Sequence, residues 1–394
     1  MRIAVVKPDW HIRGGFEAVV ARVETDLRSA GHEVDRVEVD VPALAHEAFG
    51  IAVDDHLWSR APEWFSHLAM LDRFRGLDLS EYDMVLSTQP PSYAVRHRHH
   101  LSLFYHHARA FYDLEEVWVT AGRLPAVLHT PAAAMLRAAE AEDLRGVTHF
   151  LAGSPRVAER LRRFGGPDVP VSLYRSPAPQ IEEVDHSTLE HVLVVSRHEF
   201  TKRTELAVQA LALSAAHGVL VGDGGRLPFV RKLAAMLAED PAAAARLDAS
   251  DLWLNSGIAA GEIPERAAGH VNIVGRVSDA RLDQLFRTAV CVLAPAYDED
   301  DGLTVLEAMA RGRAVIVCRD GGGLTALVED GVNGFVVDPD GPSIAAAITM
   351  LDTDHELARR MGEAARATAQ VYTPQRAREQ LFAAVEGVMG GRGQ

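Results

Sequence analysis

Tyr297-Asp298-Glu299-Asp300-Asp301-Gly302-Leu303-Thr304-Val305-Leu306-Glu307-Ala308-Met309-Ala310 follows directly on an apolar run, Ala289 to Leu293, that reads as a buried strand ending near Pro295. The order is therefore strand, tight loop, helix. In an open parallel sheet such a loop leaves the carboxyl end of its strand and faces the crevice where these folds take their ligands. Gly302 lets a ligand come close to the backbone, and a helix beginning near Leu303 presents free N–H groups and the positive end of its dipole to a phosphate. Glu307 falls about one turn inside that helix, where a carboxylate can accept two hydrogen bonds from a vicinal diol such as a ribose. Glu299 stands in the loop on the other side of the phosphate position, suited to a sugar hydroxyl. The same residues also read as a plain acidic surface loop, since Asp and Glu are favoured ahead of a helix N-terminus.

Working outward, the strand-loop-helix order recurs along the chain. In the second half the strand candidates are His191 to Val195, Val219 to Val221, Val271 to Val274, Ala289 to Leu293, Ala314 to Val317 and Gly334 to Val337, separated by helix-like stretches such as Glu205 to Ala216 and Glu356 to Tyr372. In the first half they are Arg2 to Val6, Met84 to Ser87, Leu101 to Tyr105, Phe150 to Ala152 and Val169 to Leu173, with helix-like stretches Ala18 to Ala30 and Ala132 to Leu144. Between the halves, Ser176 to Ser187 holds two prolines and a cluster of acids without periodicity, the mark of a linker between independent cores. The expected fold class is α/β: two Rossmann-like, doubly wound parallel-sheet domains at residues 1–178 and 188–371, with a C-terminal helix in 372–394 that can cross back to the first.

Composition sets limits on partners. Of 394 residues, 48% are hydrophobic and 24% charged, the balance of a folded globular protein. A net charge of -15 speaks against nucleic acid, which calls for a dense Lys/Arg face. Residues 1–178 carry -4 of that charge and the remainder -11, so the acidic excess lies in the second half. Arg156, Arg160, Arg162 and Arg163 read as a solvated helix face, with peripheral contact to an anionic membrane as the second reading. Cys291 and Cys318 sit inside apolar runs, which excludes a disulfide framework and implies reduced thiols. No basic-plus-apolar leader and no apolar stretch near 18 residues are evident, so the expectation is a cytoplasmic protein, at most peripheral to the inner face of the membrane.

Further chemistry gathers at other strand ends. Ser196-Arg197-His198-Glu199-Phe200-Thr201-Lys202-Arg203 follows a strand, and Arg197 with Lys202 can converge on a diphosphate, the first as a fork of donors and the second as a point charge; a pair of surface cations is the alternative. The turn Gly222-Asp223-Gly224-Gly225 also follows a strand, but by itself it reads only as a turn. Gly14 and Gly15 follow the opening strand, and Tyr105-His106-His107-Ala108-Arg109 follows another. No histidine pair has a zinc spacing with a third ligand, and no metal is expected.

Taken together these residues resemble the GT-B-fold glycosyltransferases of family 4, the large retaining group also called glycosyl transferase group 1. The resemblance is best in Val194 to Leu211 and Ala294 to Pro339, and fainter around His106 and across Leu151 to Tyr174. It implies two Rossmann-like domains facing across a cleft, the first binding the acceptor and the second a nucleotide-diphosphate sugar, with hexosyl transfer to an acceptor hydroxyl, anomeric configuration retained, and no cofactor or metal. Arg197 and Lys202 are then expected on the diphosphate and Glu307 on the ribose. Glu299, with backbone near Gly302, Leu303 and Thr304, is expected on the sugar, and Gly275-Arg276-Val277 against the base. Gly15 is expected opposite the diphosphate, and His106 on the sugar, His107 being the competing choice. Members commonly carry an aromatic residue just before the glycine that is Gly302 here; this chain has Asp301, which leaves the sugar open. The acceptor class, whether small molecule, lipid-linked or saccharide, is open as well. Two other outcomes stay on the table: epimerisation of the nucleotide sugar, and binding without catalysis.

Overall fold

The computed structural model describes residues 1–11, 14–122, 126–184, 188–255 and 270–391. Fourteen strands appear among them: β1 (Arg2–Asp9), β2 (Glu33–Asp40), β3 (Glu47–Ala48), β4 (Ile51–Ala52), β5 (Met84–Ser87), β6 (His100–Phe104), β7 (His149–Ala152), β8 (Val171–Leu173), β9 (His191–Val195), β10 (Gly218–Val221), β11 (Val271–Gly275), β12 (Ala289–Ala294), β13 (Ala314–Cys318) and β14 (Gly334–Val337). Apart from the short antiparallel ribbon β3/β4, they form two six-stranded parallel sheets, ordered β2-β1-β5-β6-β7-β8 and β11-β10-β9-β12-β13-β14. Each is a doubly wound sheet whose strand order reverses once, between β1 and β5 in the first and between β9 and β12 in the second.

The chain divides into two compact units, Met1–Ser176 with Pro374–Gln394, and Pro177–Thr373. In the second unit side chains alternate across the sheet, as strands buried on both faces must. Val192, Val194, Leu220, Leu293 and Ile316 pack on one face beneath the helix Thr204–Ser214. Leu193, Val219, Val292, Val315 and Val317 pack on the other with Val305, Ala308 and Met309 of the helix Leu303–Ala310. Both cysteines are free thiols buried within β12 and β13.

Two features depart from the sequence reading. The strand β2 was not anticipated. Its sequence Glu-Val-Asp-Arg-Val-Glu-Val-Asp is dominated by charge because it is the sheet edge, with one face in water; Val34 and Val39 turn inward while Arg36 reaches Glu24 at 2.7 Å. The stretch expected as a linker is also only partly free of structure. Ala178 donates its N–H to the Tyr372 carbonyl at 2.8 Å, and Arg366 donates to the carbonyls of Ile181 and Glu182 at 2.8 and 2.9 Å. Its residues 185–187 lie outside the described residues. The C-terminal helix Pro374–Met389 belongs to the first unit, where it buries Leu381, Val385 and Val388 and where Arg378 meets Asp26 at 2.7 Å.

Candidate functional site

In the second unit the loops leaving β9, β10, β11, β12 and β13 share the carboxyl edge of one sheet. Those after β9 and β12 flank the point where strand order reverses. The acidic stretch belongs to the second of these, and it is no surface loop: Asp298 and Asp301 are buried, and Glu299 and Asp300 are partly buried. Its backbone is bonded to the loop after β13. Asp298 donates to the Asp320 carbonyl at 2.8 Å, Glu299 to Gly321 at 3.0 Å, and Gly323 returns a bond to Glu299 at 2.8 Å. On its other side Tyr297 donates to the Thr201 carbonyl at 2.7 Å. Lys202 Nζ then meets Glu299 Oε2 at 2.5 Å, so the cation and the carboxylate singled out in separate motifs close on each other across the reversal point.

Gly302 caps the helix Leu303–Ala310 with φ 91°, a left-handed conformation that favours glycine, and no side chain caps that helix. The N–H groups of Leu303 and Thr304 at its start are unused within the helix, as the first N–H groups of any helix are. Glu307 lies one turn further on. It is partly buried and its carboxylate accepts no hydrogen bond from the described residues. Burial pushes its pKa up, and only the Arg311 charge works against that shift.

Two cations also lack partners among the described residues. Arg197 is exposed at the end of β9, and Arg276 is exposed in the turn after β11 beside Gly275 and Val277. Arg203 is the opposite case, and the sequence did not single it out. It is 1% exposed, its Nε donates to the Pro295 carbonyl at 2.7 Å, and its two terminal nitrogens reach Asp320 at 2.9 and 2.5 Å. It does this from a left-handed backbone, φ 47°, under the rings of Trp253 and Tyr297. The turn after β10, read as a mere turn, is also part of this edge. Gly222 has φ 135°, and a Cβ there would collide with the Ser196 carbonyl. Gly222 N–H donates to the Gly275 carbonyl and His198 N–H to the Asp223 carbonyl, both at 2.9 Å, so three consecutive strand-end loops are laced together.

In the first unit, Gly15 opens the helix Gly15–Ser29 after an uncapped Gly14; Ile12 and Arg13 lie outside the described residues. The two candidate histidines differ sharply. His106 is partly exposed, its Nδ1–H donating to the His107 carbonyl at 2.7 Å. His107 is 1% exposed, stacked on Tyr112 at 4.3 Å and flanked edge-on by Phe104 and Phe164, and burial brings its pKa down to about 4. In the helix expected as a solvated basic face, Arg160 is instead buried and meets Asp113 at 3.3 Å. Among the described residues no group of three or more His, Cys, Asp or Glu is placed to hold a metal, and no helix is long and apolar enough to cross a membrane.

Residues 265–368 match the family model described as Glycosyl transferases group 1. Among curated relatives, a D-inositol 3-phosphate glycosyltransferase of Streptomyces griseus is 34% identical over 36% of this chain and 32% of its own length. An alpha-D-kanosaminyltransferase of Streptomyces kanamyceticus is 30% identical over 48% of this chain and 44% of its own. The chain thus spans about a third of the length of the first curated relatives it matches. Solved structures extend the likeness to nearly the whole chain. A sucrose-phosphate synthase from Thermosynechococcus elongatus superimposes with a TM-score of 0.62 at 18% identity, covering 97% of this chain and 99% of that one. The Anabaena protein HepE, in complex with UDP and glucose, gives 0.61 at 16%, covering 98% and 99%. The chain therefore has the GT-B fold, and residues 265–368 of its second unit match the glycosyl transferases group 1 model.

Proposed function

We propose that the chain transfers a glycosyl group from a nucleotide-diphosphate sugar to an acceptor hydroxyl, with retention of anomeric configuration, as a family 4 hexosyltransferase. The observation that carries this reading is Glu307: a partly buried carboxylate with a raised pKa and no partner among the described residues, one turn into a helix whose N-terminus is uncapped. Such a group is stabilised by donors that arrive with a ligand, and a ribose diol supplies two. The diphosphate is met by Arg197, by Lys202 and by the N–H groups of Leu303 and Thr304, and Arg276 with Gly275 and Val277 borders the base. Lys202 is already engaged by Glu299. In the proposed bound state the lysine turns to phosphate and the glutamate to a sugar hydroxyl, each exchanging one partner for another.

These positive groups stabilise the charge that develops on the departing phosphate, and no metal is required for that. Retention follows if the departing phosphate takes the acceptor proton on the face it leaves, with no enzyme nucleophile. The acceptor site is assigned to the first unit. Relatives named for transfer to an inositol phosphate and of a kanosamine unit favour transfer over epimerisation or binding alone.

UDP-glucose is the first donor to try, since HepE was captured with UDP and glucose. Calorimetry should show binding to the wild type that Glu307→Ala weakens about 10- to 100-fold, the range of a lost charge-assisted hydrogen bond. Turnover should persist in a chelator, and NMR of the product should show the donor's anomeric configuration. If no UDP-, GDP- or dTDP-sugar binds, or if Glu307→Ala binds as the wild type does, the placement of the donor is wrong.

A further inference from the structure

Arg311 ends the helix Leu303–Ala310, four residues beyond Glu307 and so one turn along the same face. A cation at a helix C-terminus is ordinary, since it meets unused carbonyls and the negative end of the dipole. Arg311 does donate to such a carbonyl, that of Glu307 itself, at 3.1 Å. Its other contacts reach away from its own helix. Nε donates to Asp283 at 3.1 Å, and the guanidinium lies 4.8 Å from the ring centre of Phe286, both on the helix Asp279–Arg287. Asp283 is gripped a second time by Arg287 at 2.7 Å, and Phe286 is fully buried. A side chain only 17% exposed and held at three points keeps its charge in one place.

The surroundings of Glu307 give that charge its importance. The helix Leu303–Ala310 packs on β12, β13 and the helix His355–Ala369. On that face the strands bring Val292, Val315 and Val317 and the helix brings Ala365 and Ala369, none of them ionisable; the thiols Cys291 and Cys318 lie on the opposite face of the sheet. Arg366 is turned to the carbonyls of Ile181 and Glu182. Asp283 is neutralised between Arg287 and Arg311. Arg311 is thus the charge that opposes the desolvation of the Glu307 carboxyl. A ribose diol donates two hydrogen bonds, and an ionised carboxylate accepts both without losing an oxygen to a proton of its own.

We propose that Arg311 is a positioning residue for the donor: fixed on the neighbouring helix by Asp283 and Phe286, its charge holds the Glu307 carboxylate ionised for the ribose hydroxyls. The inference rests on the donor site proposed above, and the first of its two tests needs no donor.

Carbon-13 NMR of the full chain labelled at the glutamate carboxyls, with Glu307→Gln to identify the Glu307 signal, follows that acid without any ligand. In Arg311→Gln the signal should titrate at higher pH than in the wild type. In Arg311→Lys, which restores a cation four residues beyond the acid, it should titrate as in the wild type. UDP affinity is then measured by calorimetry at pH 8 and pH 5. The ratio of wild-type to Arg311→Gln affinity should rise about three- to tenfold on going to the lower pH, whereas a purely structural contact would change it equally at both. Titration of the UDP phosphate is common to both proteins and cancels in the ratio. Arg311→Met, which keeps an apolar stem against Phe286, replaces Arg311→Gln if that variant does not fold. The inference is overturned, with the donor site left standing, if the Glu307 signal titrates alike in wild type and Arg311→Gln, or if Arg311→Lys behaves as Arg311→Gln does. A shifted signal with a flat affinity ratio, or with no UDP binding at all, overturns the donor placement and the role of Arg311 together.

Discussion

Glu140 in the first unit and Glu307 in the second are both acids on helices packed against a parallel sheet, and the protein treats them in opposite ways. Glu140 is fully buried and has three partners: His67 Nε2 and the Tyr93 hydroxyl at 2.7 Å, and the Tyr112 hydroxyl at 2.6 Å. Burial alone pushes its pKa up, but the His67 charge and the three hydrogen bonds together bring it below the usual carboxylate value. Glu307 is only partly buried and lacks such bonds, and desolvation raises its pKa. One acid is a closed part of the fold; the other has a carboxylate that no described residue bonds. Buried polar groups in proteins are nearly always satisfied, as Glu140 is, whereas the partly exposed Glu307 keeps its oxygens open to water or to a ligand.

The comparison is most exposed to failure in stability measurements. Glu140→Ala strands an imidazole and two phenols in a closed core and should cost about 3–5 kcal/mol, as breaking a buried charged network does. Glu307→Ala removes a carboxylate that gains nothing from folding, and should change stability by less than about 1 kcal/mol. Urea denaturation of the two variants compares them directly. Equal losses would mean that Glu307 has structural work and that its lack of partners is no sign of a ligand.

Acid sharpens the contrast at the level of whole units. His100 and His107 in the first unit are held neutral by burial, with pKa values brought down to about 3 and about 4. An unfolded histidine titrates near 6.5, so the stability tied to their neutrality is complete above that pH and is lost as pH falls towards about 4. Glu140, with its lowered pKa, adds a loss in the same direction below the usual carboxylate range. The second unit has its own depressed pair, His191 and His198, both at about 4. There, however, Glu205 is raised to about 7 by burial and Glu307 is raised as well, against the one carboxyl, Asp143, that burial raises in the first unit, and a carboxyl whose folded pKa is raised takes up its proton with a gain in stability as pH falls through that value. Between pH 7 and pH 4 the first unit should therefore lose protection before the second. Hydrogen exchange read by mass spectrometry, peptide by peptide, follows this; earlier opening of residues 191–337 would contradict it.

How much of this was legible beforehand varies with the range of the interaction. Strands β9, β12 and β13 announced themselves because burial on both faces leaves no room for polar residues, and the carboxyl-edge position of Glu299 and Glu307 followed from the strand-loop-helix order. The edge strand β2 did not, since its exposed face carries the charges of a loop. Adjacent histidines are indistinguishable on paper, yet one turns to the surface and the other into an aromatic cage. The part played by Gly222 depends on how near the Ser196 carbonyl comes, a distance set by another loop. Arg203 was illegible for the same reason, its carboxylate partner lying 117 residues along the chain.

Arg203 also tests whether location or satisfaction sorts the charged groups, for it shares the carboxyl edge with Arg197 and yet has its donors occupied by Pro295, Ala296 and Asp320. If satisfaction is the criterion, its role is to hold the loop before Glu299 in place, and the left-handed backbone at φ 47° is the cost of reaching those partners. Both Arg203→Ala and Arg203→Gly lose the guanidinium contacts. They differ in the backbone: alanine keeps the steric strain that any L side chain has there, about 1–2 kcal/mol, whereas glycine is free of it. Glycine's greater freedom in the unfolded chain takes back part of that advantage, so Arg203→Gly should be the more stable variant by about 1 kcal/mol. Thermal unfolding of the pair measures the difference, and an alanine variant at least as stable as the glycine one would show that no strain is held at this position.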